Sequence, residues 1–536
     1  MKSLFPSKQP AITATLALLC AAGLHAQSIA LNPATMPKLG TVDARYQGYN
    51  IEMVEVTGGR FWAPYKQQGK PQLDDASKAS VPAGMDPSLY RYRTPIDLSN
   101  AKLRKLAAAL GPSYVRVSGT WANSTYFHDS DTPAPAKPPE GFGGILTRKQ
   151  WKGVIDFSKA VNAGLVTSFA VSPGVRDADG IWTPVEASKI LAYTKSAGGS
   201  IAAAEMFNEP SFASLGGVPK GYTAQTYGKD FKAFHAYVSK AAPKMIVLGP
   251  GSVGEAGGLV PEAMKQSMLK STDMLDASGP GLDIFSYHFY GGGSQRCLRA
   301  GMKPMVSPET ALTDEWLSKT NHDEAFYAAM RDKYLPGKPI WLTETGETAC
   351  GGDPWAATFI DSFRYLNQLG SLAKRGVQAI QHNTLAASDY ALLDEDTFNP
   401  RPNYWAALLW RKFMGTTVLD ADPAASPSGT PSTPDVYLYA HCLRNQPGGV
   451  TILAINTDRN AAHEITLREA ASRYTLASDN LTSSQVALNG VDLALTAQGN
   501  LPTLNATPVP AGKATLAPTT ITFFAIPKAN NPACRK

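Results

Sequence analysis

Two carboxylates stand at the ends of short apolar runs. Glu209 closes Met206-Phe207-Asn208-Glu209-Pro210, and Glu344 closes Ile340-Trp341-Leu342-Thr343-Glu344 ahead of Thr345-Gly346. At the mouth of one fold such a pair can cleave an acetal. One carboxyl protonates the leaving oxygen, and the other attacks the anomeric carbon or activates water. A separation of about 5–5.5 Å gives retention of configuration. The two must titrate differently. Glu209 has to hold a proton at rest, through burial or the charge of Glu344, whereas Glu344 has to stay ionised through hydrogen bonds or a cation. Arg116, at the end of another apolar run, is the candidate cation. His288 and Tyr290 are two apart in a strand-like run and so share a face. Tyr290 can hydrogen-bond Glu344, and His288 can support Glu209. Singly, each has a plainer meaning: a helix-start carboxylate for Glu209, a structural ion-pair partner for Arg116, a satisfied core histidine for His288. Their joint placement at strand ends gives them weight. Glu347 is the rival nucleophile, and strand-end position favours Glu344.

The elements that must position these residues follow a rhythm. Short apolar runs occur at Gln47–Val54, Ser113–Val117, Leu165–Val171, Ile201–Asn208, Met245–Leu248, Asp283–Tyr290, Ile340–Glu344 and Val377–His382. Most are rich in β-branched or aromatic residues, as buried parallel strands are. Helical stripes lie between them. One is Leu103, Leu106, Ala107 and Leu110, ended by Gly111-Pro112; others are Tyr227, Phe231, Phe234, Val238 and Phe359, Phe363, Leu366, Leu369. Eight alternations predict a (β/α)₈ TIM barrel over residues 45–412, with its active site at the C-terminal strand ends. Beyond 413 the pattern changes to short strand-like runs, such as Val436–Ala440, Val450–Asn456 and Thr520–Ile526, between Pro/Ser/Gly/Thr clusters. Residues 413–536 therefore read as an antiparallel β-sandwich.

Composition narrows the class. The 536 residues are 43% hydrophobic and 18% charged, which excludes a disordered, collagen-like or coiled-coil chain. Fifty basic against 44 acidic residues leave a net charge of +6 without a long basic run, so nucleic-acid binding is not expected. Residues 1–26 read as a secretory signal: Lys2 and Lys8 precede the apolar Ala11–Leu24, and Ala26 is a small residue at a plausible cleavage point. No later stretch is long and apolar enough for a membrane span. The expectation is a secreted or periplasmic protein. Four cysteines then remain, which allow three pairings; Cys297–Cys350 and Cys442–Cys534 are favoured because each pair falls inside one expected domain. No CxxC or HExxH spacing occurs, so neither a metal nor another cofactor is expected.

Four stretches carry a family likeness: LRKLAAALGPSYVRVSGT (103–120), the Asn-Glu-Pro of 208–210, WLTETGETACGG (341–352) and YALLDEDTFNPRPNYWAALLWRKFMG (390–415). With them the sequence resembles the heparanase-like β-glucuronidases, within the clan of retaining (β/α)₈ glycosidases. The resemblance implies that Glu209 is the acid/base, Glu344 the nucleophile and Asn208 a contact of the sugar 2-OH, with Thr120 near the −1 sugar. It implies that Tyr390 and the backbone N–H groups of Gly351 and Gly352 hold the glucuronate carboxylate, a task suited to a Gly-rich turn. It also implies that the mature N-terminus, residues 27–44, adds a strand to the sandwich. The sequence departs from the family in places. Glu344 and Gly351 are one residue further apart than in the animal enzymes, His382 or Asn383 stands where the family often has Gln, and Glu52 aligns weakly with a family acid near the sugar. No lysine pair matches those that bind sulfated chains. The expected function is a secreted retaining β-glucuronidase acting on a glucuronic-acid-containing glycan or glycoside. The alternatives are an endo-acting heparanase-like glycosaminoglycan hydrolase, a relative acting on neutral sugars, and a non-catalytic carbohydrate-binding protein.

Overall fold

The structure is a computed structural model that describes residues 29–67, 86–259, 265–298 and 305–535. The expected signal, residues 1–26, lies outside the described residues.

Eight parallel strands close into a barrel in sequence order. They are β1 (Gln47–Glu52), β2 (Ser113–Ser118), β3 (Ala163–Ser168), β4 (Ile201–Glu205), β5 (Ile246–Ser252), β6 (Ile284–Phe289), β7 (Ile340–Thr345) and β8 (Ala379–His382). All eight expected runs thus supply the barrel. The three helical stripes lie on helices Ala101–Ala109, Ala224–Ala241 and Phe359–Lys374. Asn100 caps the first by accepting from the N–H groups of Lys102 and Leu103, which satisfies donors the helix itself leaves open.

The barrel interior is layered. A lower layer packs Tyr114, Val166, Ala203, Leu248, Ile284, Trp341 and Ala379. Two residues further along β2, β4, β6 and β7, polar residues take over the same face: Arg116, Glu205, Ser286 and Thr343, all fully buried. Those four form the floor beneath the strand ends.

The C-terminal region builds two further sheets. The nine-stranded one includes β9 (Met414–Leu419), β10 (Val436–Leu443), β11 (Val450–Asn456), Ala471–Ala477 and Thr520–Ile526. The three-stranded one joins His463–Leu467 and Gly512–Leu516 to the N-terminal strand Ile29–Leu31. A second N-terminal strand, Lys38–Thr41, pairs with β9. The chain's start therefore contributes one strand to each sheet. Period-two alternation divides the large sheet's faces. Leu438, Ala440, Ile452, Ala454, Phe524 and Ile526 pack with Ile465, Leu467 and Leu516 of the small sheet. Tyr437, Tyr439, Leu453, Ile455 and Phe523 join the barrel's core instead. Tyr439 donates to Asn367 Oδ1 at 2.6 Å on helix Phe359–Lys374, and its ring fills the place a side chain at Gly370 would need. Disulfides Cys297–Cys350 and Cys442–Cys534 are both formed.

Candidate active site

The floor is an ion pair. Arg116 donates from Nη2 and Nε to Glu205 Oε2 at 2.9 and 3.2 Å. Glu205 Oε1 accepts from Ser286 Oγ and Thr343 Oγ1, each at 2.8 Å. Burial opposes the Glu205 charge, but Arg116, His288 and the two hydroxyls outweigh it and hold the carboxyl below its ordinary range. A charge so paired and hydrogen-bonded can sit in the barrel interior.

Glu344 stands above this floor because β7 bulges. Tyr287 pairs with Leu342, whereas His288 pairs with Glu344, so two residues of β7 oppose one step of β6. A bulge of this kind re-aims side chains. Thr343 and Glu344, adjacent in sequence, thus both reach the same guanidinium pair. Glu344 Oε2 accepts from Arg116 Nη1 at 2.8 Å, and Oε1 from the Tyr290 hydroxyl at 2.8 Å. Both oxygens are held as acceptors, the arrangement an ionised carboxylate needs.

Glu209 sits in the opposite environment. It follows β4 with φ +51°, in the left-handed region, where a side chain other than glycine is strained and often functional. About a fifth of its side chain (19%) is open. Burial of the carboxyl, resisted by Arg116 and aided by Glu205, pushes it up to about 7. His288 Nε2 faces the Arg116 Nη2 donor at 3.3 Å, so that nitrogen accepts and the proton belongs on Nδ1. Nδ1 lies 3.1 Å from Glu209 Oε1. Burial holds His288 down at about 4, with Glu344 opposing and Arg116 assisting, so the ring stays neutral at physiological pH. A neutral ring donating to Oε1 leaves the acid's own proton to Oε2.

Asn208 is clamped from two sides. Its Oδ1 accepts from Arg116 Nη2 at 2.6 Å. Its backbone N–H and C=O both bond Asn123, at 2.8 and 3.0 Å. Thr120 opens the short turn after β2 (Thr120–Ser124) and is not drawn into this hydrogen-bonded group. One atom each of Glu209, His288 and Glu344 lie within 4.8 Å of one another. That spacing could also hold a metal ion, but Glu344 Oε2 and His288 Nε2 both face Arg116, so a cation there would abut a guanidinium.

Beside the pair lies a second polar surface. Cys350, Gly351 and Gly352 are successively left-handed, at φ +63°, +84° and +84°. The Gly351 carbonyl is turned to the β8 loop, accepting from Asp389 N, Tyr390 N and Ser388 Oγ at 3.1, 3.3 and 3.0 Å. The N–H groups of Gly351 and Gly352 have no acceptor among the described residues, although both glycines are buried. Buried N–H groups are rarely left so, and two on adjacent residues make a cradle for an anion. A side chain at Gly351 would strike Arg296, Ser388 and Trp62. The Tyr390 hydroxyl accepts from Asn383 Nδ2 at 3.1 Å.

Other expected residues fall elsewhere. Glu347 Oε2 accepts from Thr348 Oγ1 and Asp353 N at 2.7 and 2.8 Å, tying the loop that carries the glycines. Burial, then Asp353, pushes that carboxyl well up. His382 Nε2 bonds the Tyr390 carbonyl at 2.8 Å, so Asn383, not His382, faces the tyrosine hydroxyls. Sequence reasoning missed Glu205, Asn123 and the bridging role of Asn383. A buried arginine demands a carboxylate in its own layer, and Glu205, alone among the alanines of β4, was the legible partner.

Comparison with known proteins adds a family context. Residues 93–370, just over half of the chain, match the N-terminal domain of glycosyl hydrolase family 79. Heparanase-like protein 1 of Arabidopsis thaliana is 28% identical over 384 residues, covering 67% of this chain and 65% of that protein. The chain thus spans just under two thirds of that relative's length. The hyaluronoglucuronidase of Hirudo nipponia is 28% identical over 487 residues, covering 82% of this chain and 92% of the relative. Among solved structures, a 4-O-α-L-rhamnosyl-β-D-glucuronidase from Fusarium oxysporum superposes with a TM-score of 0.60 at 12% identity, covering 93% of this chain and all of that one. At that identity the likeness speaks for the fold.

Proposed function

The chain belongs to glycosyl hydrolase family 79, and on that premise we propose that it is a retaining β-glucuronidase working by double displacement. Glu344 attacks the anomeric carbon as its bond to the aglycone oxygen breaks, and Glu209 passes its proton to that oxygen. The product of this step is a glycosyl ester on Glu344. Water then attacks the same carbon, Glu209 takes the water's proton, and the ester bond to Glu344 breaks, freeing glucuronate. The observation that carries this reading is the contrast between the two carboxyls. Glu344 accepts from Arg116 and Tyr290, whereas Glu209 is pushed up to about 7. Oxygens within 4.8 Å of each other suit direct attack better than a water between the carboxyls.

The acidic sugar is inferred from the cradle. The free N–H groups of Gly351 and Gly352, with the Tyr390 hydroxyl, would receive the glucuronate carboxylate. Asn208 would bond the 2-OH, and Thr120 would line the −1 subsite. Family relatives whose names speak of glucuronidase action support this choice. The likeness to a heparanase-like protein favours a second reading, endo-cleavage within a glycosaminoglycan. Two disulfides fit a secreted or periplasmic location. The division we infer is a catalytic barrel over 45–412 and a β-sandwich over 413–536 joined by 27–44.

The test is initial-rate hydrolysis of 4-nitrophenyl β-D-glucuronide beside the glucoside and xyloside. Glucuronide-selective turnover is expected. Preference for a neutral glycoside would remove the anion role from Gly351, Gly352 and Tyr390. Turnover of hyaluronan or heparan oligosaccharides alone would favour the endo reading.

A further inference from the structure

We propose that Asn383 sets the proton direction of two tyrosines at once, and so couples the nucleophile to recognition of the sugar's carboxylate. The proposal rests on the function proposed above.

Asn383 is buried just past β8. Its Nδ2 lies 3.0 Å from the Tyr290 hydroxyl and 3.1 Å from the Tyr390 hydroxyl. The Tyr290 oxygen is in turn 2.8 Å from Glu344 Oε1. An ionised carboxylate only accepts, so the Tyr290 proton belongs to Glu344, and whatever else faces that phenol must be a donor. This fixes the amide with its NH₂ toward the tyrosines. One NH₂ carries two N–H bonds, one for each phenol. The Tyr390 oxygen is therefore also an acceptor toward Asn383, and its own proton must point elsewhere. No acceptor among the described residues takes that proton. It is left for an anion, and Tyr390 adjoins the Gly351–Gly352 cradle through its N–H bond to the Gly351 carbonyl.

Asn383 Oδ1 and Glu52 Oε2 are both buried acceptors without a partner, and the two groups are near enough to interact. Burial, then the charge of Glu344, pushes Glu52 well up, with Arg116 and the Asn383 amide opposing. Asn383 is thus a positioning residue acting through both tyrosines. Glu344 also faces Arg116, His288, Glu209 and Glu52, and Tyr390 also faces Glu52, Glu344, Glu55 and Arg296; all of these stay in place when only Asn383 is changed.

Asn383→Asp tests this, because it keeps the shape but replaces the NH₂ donor by an acceptor. The measurement is kcat/KM across pH for 4-nitrophenyl β-D-glucuronide and β-D-glucoside, in the wild type, Asn383→Asp, Tyr290→Phe and Tyr390→Phe. Tyr290→Phe should move the acid limb to higher pH with little change in the glucuronide/glucoside ratio. Tyr390→Phe should lower that ratio about 10–100-fold, the worth of a hydrogen bond to a charged group, without moving the limb. Asn383→Asp should do both, and should cost no further selectivity in the Tyr390→Phe background. A folded Asn383→Asp enzyme that changes neither readout, or only one, overturns the proposal. If that variant does not fold, Asn383→Ser decides: its single hydroxyl can serve one phenol, so at least one readout must move, and neither moving overturns it. A wild type that prefers the glucoside overturns the proposed function and this inference together. A glucuronide-selective wild type with unmoved Asn383 variants overturns the inference alone.

Discussion

Arg116 Nη1 donates to Glu344 Oε2 at 2.8 Å, and the guanidinium that does so is wholly buried. The same group holds Glu205 below and Asn208 beside it. One cation therefore balances two carboxylates and fixes the Asn208 amide beside them.

Removing that cation leaves Glu205 and Glu344 uncompensated. Arg116→Met should lower unfolding stability by about 3–5 kcal/mol, the usual cost of breaking one side of a buried pair. Urea unfolding followed by fluorescence measures this. A loss under 1 kcal/mol would mean that the floor is not an interdependent network.

Glu209 should govern the basic limb of activity. Its carboxyl, pushed up to about 7, is the acid of the proposed mechanism, so kcat/KM for a glucuronide should fall as pH rises through about 7. Glu209→Ala should lose about 10²–10⁴-fold on substrates that need protonation. It should lose less on activated aryl glucuronides, where azide should restore turnover as a glucuronyl azide. Equal losses on both leaving groups would remove Glu209 from the acid role.

The same shift carries a stability sign. A carboxyl raised from an ordinary 4.5 to about 7 when folded binds its proton more tightly in the native state. Its favourable contribution is complete below about 4.5 and lost as pH rises through about 7. Glu209→Gln should therefore show a smaller drop in melting temperature between pH 5 and pH 8 than the wild type. Parallel pH slopes would contradict the burial argument.

The two disulfides should separate in their effects. Cys442–Cys534 spans 92 residues, and replacing both cysteines by serine should cost about 4.6 kcal/mol in the chain-entropy model while leaving glucuronide selectivity intact. Cys350 is left-handed beside Gly351, and its carbonyl accepts from Arg296 at 2.6 Å. Loss of Cys297–Cys350 should therefore raise KM for the glucuronide more than for the glucoside. Equal effects on both sugars would detach this disulfide from the cradle.

The barrel was legible because buried parallel strands are short and apolar and their helices carry a 3.6-residue stripe. The positions of Glu209, Glu344, His288 and Tyr290 followed from strand ends and period-two spacing. The bulge at Thr343–Glu344 did not, because no residue type there marks a register slip, and it is what lets Thr343 reach Glu205 while Glu344 reaches Arg116. Glu205 was passed over among the alanines of β4, and Asn123 and Asn383 sit in turns whose geometry is set by distant chain. Whether His382 or Asn383 faced the site turned on a single residue of register at the end of β8.

The most direct test is to trap the covalent intermediate. The enzyme is incubated with 2-deoxy-2-fluoro-β-D-glucuronyl fluoride, and the inactivated protein is digested and sequenced by mass spectrometry. One 2-fluoroglucuronyl group on Glu344 is predicted. A label on Glu347, or glucuronide turnover with inverted product and no label anywhere, would contradict the account.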